Sequence, residues 1–383
     1  MKKFTGIAAA LAAAGMAVTF AGCGGFMGCN SCNSKTVNNA LTNSNWYTGT
    51  GFKGIQPFFI VSDDHPEYTK EEITYDVSFD DTKAENKSYS VEYKDGNMST
   101  QFYATKYNWN DSNIPENYRT DKTDIVYYYK TEMSISVRYK KGDNYTEWFN
   151  DSMTTECYFR AAELALRPVY SKQVIKSTSP KNFTASSLED CYEVIDCEYE
   201  NFYNDRYTEV TSVSQKYGED TQSKVYGKIN KHKNTVFDNS SLYIAVRSMK
   251  LNADFSQNVD FFSAAAGGFT TTTVSGSNTE LGEDEHKAIS SALAAKNLYT
   301  PVTKDADGND IEDKGVPTVA VKLNYAGGGD MSGAAQTVWY AAIENANNNT
   351  ARTTMLKLSV PVSYGLGTLN FTLKEVKSTL WNN

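Results

Sequence analysis

The sequence predicts a mainly β protein, with long antiparallel strands forming a curved sheet, half-barrel or sandwich and one or two short helices. Three observations carry this. Apolar residues recur at every second position over long runs, Gly-containing turn sequences separate several of those runs, and one segment has both the charge layout and the apolar stripe of a helix. The chain has 383 residues, enough to build a substantial core.

The alternation is clearest from Ile125, where Tyr127, Tyr129, Met133, Ile135, Val137 and Tyr139 hold one parity and Lys130, Glu132, Ser134, Ser136, Arg138 and Lys140 the other. One apolar and one wet face is the antiparallel pattern. A strand over residues 125–140 is far longer than the usual 5–6 residues, which favours a long curved sheet. The same period recurs at Ile73, Tyr75, Val77, Phe79; at Val319, Val321, Leu323, Tyr325; and at Leu356, Leu358, Val360, Val362, Tyr364. Lys94-Asp95-Gly96-Asn97 lies between two alternating runs and predicts a hairpin turn, because Asp-Gly suits the positive φ of tight hairpins. Lys141-Gly142-Asp143-Asn144 and Tyr364-Gly365-Leu366-Gly367 predict further turns, and Pro361 an edge or bulge position. Leu242, Ile244 and Val246 switch parity to Met249, Leu251 and Ala253, as a β-bulge would require. Residues 152–166 combine helix formers with alternating flanks, and the pattern leaves helix or strand open. One helix is predicted near residues 283–296, with Glu283, Asp284 and Glu285 at its positive end, Lys296 at the other, and Ile289, Ala292 and Leu293 as its apolar stripe.

The first residues read as an address. Lys2 and Lys3 precede an uncharged apolar run over residues 4–20, which fits an export signal better than a bilayer span of about 20 residues. The run closes on Phe20-Ala21-Gly22-Cys23. This stretch resembles a bacterial lipoprotein signal peptide with its lipobox, although Phe20 stands where Leu is usual. The resemblance implies cleavage before Cys23 and lipidation of its thiol, which anchors the exported chain to a bacterial membrane with its body extracytoplasmic. Losing residues 1–22 removes two lysines and no acid, moving the net charge from −9 to −11. A body that acidic is repelled by anionic head groups and stands clear of the surface. Residues 23–54, rich in Gly, Asn and Ser, read as a flexible tether, and 55–383 as a β-rich body with a possible sub-boundary near 265–282.

Candidate chemistry is sparse. Without Cys23, five thiols remain: Cys29 and Cys32 in the tether, and Cys157, Cys191 and Cys197, whose pairing the spacing leaves open. Asp305, Asp307 and Asn309 alternate oxygen-bearing side chains as the start of a calcium loop does, but Asp310 and Val316 depart from the EF-hand pattern, and an acidic hairpin loop is the plainer reading. His65, among Asp63, Asp64 and Pro66, suits a loop or a carboxylate-oriented imidazole. His232 sits between lysines, and His286 near the predicted helix start. Gly327-Gly328-Gly329-Asp330 lacks the Lys of a phosphate cradle and reads as a hairpin tip, and nucleophile-elbow and zinc-protease signatures are absent. The acidic balance excludes a nucleic-acid binder. The 26 tyrosines, with Tyr127, Tyr128 and Tyr129 consecutive, place aromatics on both faces of one strand, as sugar-stacking and amphiphile-binding sheets do and as ordinary half-exposed sheets also do. The sum is a binding module for a glycan, cell-wall polymer, lipid or surface partner. An extracellular glycan hydrolase using Asp/Glu, or a purely structural surface protein, are the alternatives.

Overall fold

The structure is a computed structural model that describes residues 70–162, 165–227, 229, 236–247, 256–305, 307–325, 335–341 and 354–378. Among these residues sixteen strands join one sheet. In chain order they are β1 (Glu71–Asp80), β2 (Ser90–Asn108), β3 (Thr123–Lys141), β4 (Asn144–Tyr145), β5 (Phe149–Ala162), β6 (Ala165–Pro180), β7 (Tyr192–Tyr203), β8 (Glu209–Lys216), β9 (Gln222–Gly227), β10 (Val236–Asp238), β11 (Ser256–Ser263), β12 (Gly268–Ser277), β13 (Thr318–Tyr325), β14 (Gln336–Ala341), β15 (Met355–Val362) and β16 (Gly367–Ser378). Two short helices accompany them, α1 (Leu242–Arg247) and α2 (Glu283–Ala294). The spatial order runs β10 to β16, then β1 to β3, then β5 to β9, with β4 paired to β3. All pairs are antiparallel except β10 with β11. The mainly β, long-stranded architecture is the one the alternation predicts.

The apolar parity of each long strand faces one interior. Tyr75, Met98, Met133, Met153 and Ile175 form one such cross-strand row, each nearly inaccessible. Into this interior the chain places α1, all six of whose residues are buried. The expected β-bulge there is incorrect: Leu242, Ile244 and Val246 lie on a helix, while Met249, Leu251 and Ala253 lie outside the described residues. A short run that is apolar on all sides has no period to separate strand from buried helix. The start signal lay just upstream, where the Asp238 carboxylate accepts from the Ser240 N–H (2.9 Å) and caps the turn Asn239–Ser241 leading into α1. Arg247 at the end of α1 makes a bidentate ion pair with Glu71 of β1 (2.7 and 3.1 Å), and both are buried. The Tyr243 hydroxyl donates to Gln336 Oε1 (2.9 Å) of β14. The helix is thus tied to β1 and to β14.

The sheet is open, but its ends meet through side chains. Tyr226 of β9 packs on Phe262 of β11, ring centroids 5.0 Å apart, and on Phe269 of β12. Asp238 of β10 accepts from Ser171 Oγ of β6 (2.5 Å) and from the Tyr203 hydroxyl of β7 (2.6 Å).

The Asp95-Gly96 hairpin is a second correction. β2 runs straight through it, and the register slips by one residue between Lys94↔Ser136 and Asn97↔Ser134. This is a bulge: Asp95 takes φ 53°, and a Cβ on Gly96 would lie 2.7 Å from Val77 Cβ. The flanking runs pair with the uninterrupted β3 rather than with each other. Gly142-Asp143 does form a tight turn between β3 and β4, and 363–366 joins β15 to β16. Pro361 lies beyond the part of β15 that β14 pairs with. Residues 149–162 are strand, and α2 forms with Ile289 and Leu293 buried. Residues 264–267 form the turn between β11 and β12.

Tyr128 faces outward while Tyr127 and Tyr129 pack on the core, as the triplet requires. Tyr103, Tyr128, Tyr158, Tyr170 and Phe202 form an aromatic ladder across five strands on the outer face, neighbouring centroids 4.8–5.9 Å apart. Ile114 and Tyr118 pack against its Tyr170–Phe202 end, and Trp109 against Tyr158. The Tyr170 hydroxyl donates to Glu200 (2.9 Å). Much of the ladder is therefore already engaged within the molecule.

Candidate functional site

Directly opposed residues in an antiparallel ladder share a face, so the registers trace what lines the interior. Along one row Thr100, Thr131 and Thr155 lead to Gln173, Tyr199, Ser214 and Gln222. Along the next, Phe102, Tyr129 and Cys157 lead to Ser171, Asn201, Ser212 and Lys224. From β6 to β9 every residue of both rows except Tyr199 is polar. A sheet face that points inward yet carries hydroxyls and amides is costly unless each polar atom finds a partner.

Here some do not. Asn201 Nδ2 donates to Ser171 Oγ (2.9 Å), but Asn201 Oδ1 has no partner. Gln173 Nε2 also has none. Each residue is only 4% exposed. Beside them a cavity of about 330 Å³ opens between β7–β9 and the β11–β12 turn, lined by Tyr199, Ser212, Ser214, Gln222, Ser223, Lys224, Tyr226 and Ala264. Gln173 is the direct cross-strand neighbour of Tyr199, and Asn201 that of Ser212. The Lys224 ammonium sits 4.6 Å from the Tyr226 ring centroid. Among the described residues the lining holds no carboxylate and no histidine. Those residues offer hydrogen bonds, two aromatic rings and one cation.

The buried groups nearby are locked into the fold. Burial pushes the Asp238 carboxyl up, opposed by hydrogen bonds from Ser171, Tyr203 and Ser240. Burial likewise pushes the Cys197 thiol up to about 11, which keeps it protonated, and raises that of Cys157 as well. Cys157, Cys191 and Cys197 are all free thiols, so the pairing considered for them does not form.

Asp305, Asp307 and Asn309 come together in an exposed loop before β13 as a self-contained turn. Asp305 Oδ1 accepts from the Asp307 N–H (3.0 Å) and the Asn309 N–H (2.8 Å), and its Oδ2 from Asn309 Nδ2 (3.0 Å). Those bonds, the Asn309 side chain first, hold its carboxyl below the usual range. Among the described residues no group of three His, Cys, Asp or Glu side chains is arranged to hold a metal ion. His286 Nε2 lies 2.7 Å from the Val316 carbonyl, so that nitrogen carries the proton and ties α2 to the following loop. Cys23, Cys29, Cys32, His65, His232 and Gly327–Asp330 lie outside the described residues.

No family model matches the chain, and no curated protein matches it. Among solved structures the chain is similar to a beta-barrel-like protein of a domain of unknown function from Brucella abortus. The likeness has a TM-score of 0.41 and 10% identity, covering 82% of this chain and 98% of that one. Sequence reasoning did not find the pocket, because its residues form no motif. The readable signal was weaker: Ser212, Ser214, Gln222 and Lys224 occupy the parity that is apolar on the earlier strands.

Proposed function

We propose that this chain is an exported, lipid-anchored binding protein whose pocket on the inner face of β7–β9 takes a saccharide unit. The anchor rests on Lys2, Lys3, the uncharged run over residues 4–20 and the Phe20-Ala21-Gly22-Cys23 ending, with Cys23 as the lipidated residue and 23–54 as the tether. No helix among the described residues is long and apolar enough to cross a membrane.

The observation that carries the ligand reading is a polar, tyrosine-flanked lining beside two buried amide atoms that lack partners. Sugar hydroxyls donate and accept, matching Ser, Gln and Asn side chains, while the C–H face of a sugar ring packs on a tyrosine. The volume sits at the low end of small-ligand sites. A lipid fits less well, since the described lining is mostly polar. A hydrolase fits less well too, because glycoside cleavage calls on a pair of carboxyl groups flanking the bond and the described lining residues include none.

The test is an oligosaccharide array probed with the full-length protein in detergent, alongside Tyr226→Ala. The wild type should retain a defined glycan subset and the variant should lose it. Silence across the array, with a lipid co-purifying in native mass spectrometry, would overturn the saccharide reading.

A further inference from the structure

Resting on the saccharide reading, we infer that the pocket takes an acidic saccharide, its carboxylate or sulfate held by Lys224. Among the described residues Lys224 is the one charged residue in the lining. Nearby cations are already paired: Lys172 with Glu198 (2.7 Å) and Lys216 with Glu219 (3.4 Å). Among the described residues no carboxylate reaches the Lys224 ammonium, in a chain with 46 acids. Its recorded contact is instead the Tyr226 ring at 4.6 Å, which steadies a cation without neutralising it.

The sheet itself explains the missing partner. Glu198 and Glu200 alternate with Tyr199 and Asn201 along β7, so they project from the outer face, away from the pocket. Lys224 stands directly opposite Ser212, on the pocket side of β9, where it is exposed at the pocket mouth. Ser212, Ser214 and the partnerless Gln173 Nε2 add donors on that side. A donor-rich pocket with one uncompensated cation matches an anionic group better than a neutral one, because charge-assisted hydrogen bonds are roughly twice as strong as neutral ones.

The experiment titrates the full-length protein in detergent with three matched oligosaccharides by calorimetry: a trigalacturonate, the corresponding neutral trigalactose, and its sulfated form. The array above supplies a neutral and acidic panel if another sugar skeleton is preferred. The acidic members should bind about tenfold more tightly than the neutral one. Raising salt from about 20 to about 200 mM should weaken acidic binding selectively. Lys224→Gln should remove both the preference and the salt dependence while the far-UV circular dichroism stays unchanged. Which acidic member wins separates a carboxylate from a sulfate. Equal binding of neutral and acidic sugars, or a preference that survives Lys224→Gln, overturns the inference and leaves the saccharide reading standing. Absence of binding across this panel and the array alike overturns both.

Discussion

Asp151 gives the sharpest stability prediction. It lies on β5, 3% exposed, and its carboxylate accepts from the Thr178 N–H (2.8 Å), Thr178 Oγ1 (3.0 Å) and Ser177 Oγ (3.3 Å) on β6. Burial pushes its pKa from 3.8 up to about 7, the hydrogen bonds from Thr178 and Ser177 opposing the rise. Tyr93 and Tyr139 also face it and carry no positive charge to offset the burial. Between the unfolded and folded values the native state therefore holds a proton that the unfolded chain has lost. Stability must fall as pH rises through that window and level off above about pH 7. The gap corresponds to a loss on the order of 4 kcal/mol. Asp151→Asn keeps the shape, can still accept from the Thr178 N–H, and has no charge to bury. Urea unfolding followed by circular dichroism from pH 4 to 8 should show the wild type losing stability relative to the variant across the window. Buried Asp238, also shifted upward, contributes a slope of the same sign, so the difference between the two proteins is the quantity that isolates Asp151. Parallel curves, or a wild type that gains on the variant as pH rises, would refute the reasoning.

Three further outcomes follow from particular contacts. Glu71→Ala leaves Arg247 charged and buried inside the sheet and should cost about 3–5 kcal/mol in denaturant unfolding, whereas Glu71→Leu with Arg247→Met should come close to wild type. Gly96→Ala places a Cβ 2.7 Å from Val77 Cβ at the β2 bulge and should cost about 1–3 kcal/mol, read in the same assay. In a bacterial expression host, Cys23→Ser should move the protein from the membrane to the soluble fraction, and mass spectrometry of the wild-type N-terminal peptide should find a diacylglyceryl adduct on Cys23.

Much of the fold was legible because long strands with one buried face repeat a simple rule. Tyr129 to Tyr139 on β3 and Leu356 to Val362 on β15 obey it residue after residue. The rule failed where geometry depends on a distant partner. Asp95-Gly96 carries hairpin chemistry, but whether it turns the chain or bulges it depends on β3 running unbroken alongside, which no local window contains. Residues 242–247 are apolar at nearly every position, so their enclosure, rather than their period, makes them a helix. The candidate pocket was the least legible part. Its residues come from three strands and a turn, and each is an ordinary strand residue until the curvature of the sheet brings Ala264 against β9.

Hydrogen–deuterium exchange of the full-length protein, with and without the glycan selected on the array, tests the central claim most directly. Slowed exchange in the peptides covering β7, β8 and β9, with the β1–β3 region unchanged, is the predicted result. Protection confined to the outer aromatic ladder or to the 305–310 loop, with β7–β9 indifferent to ligand, would contradict it.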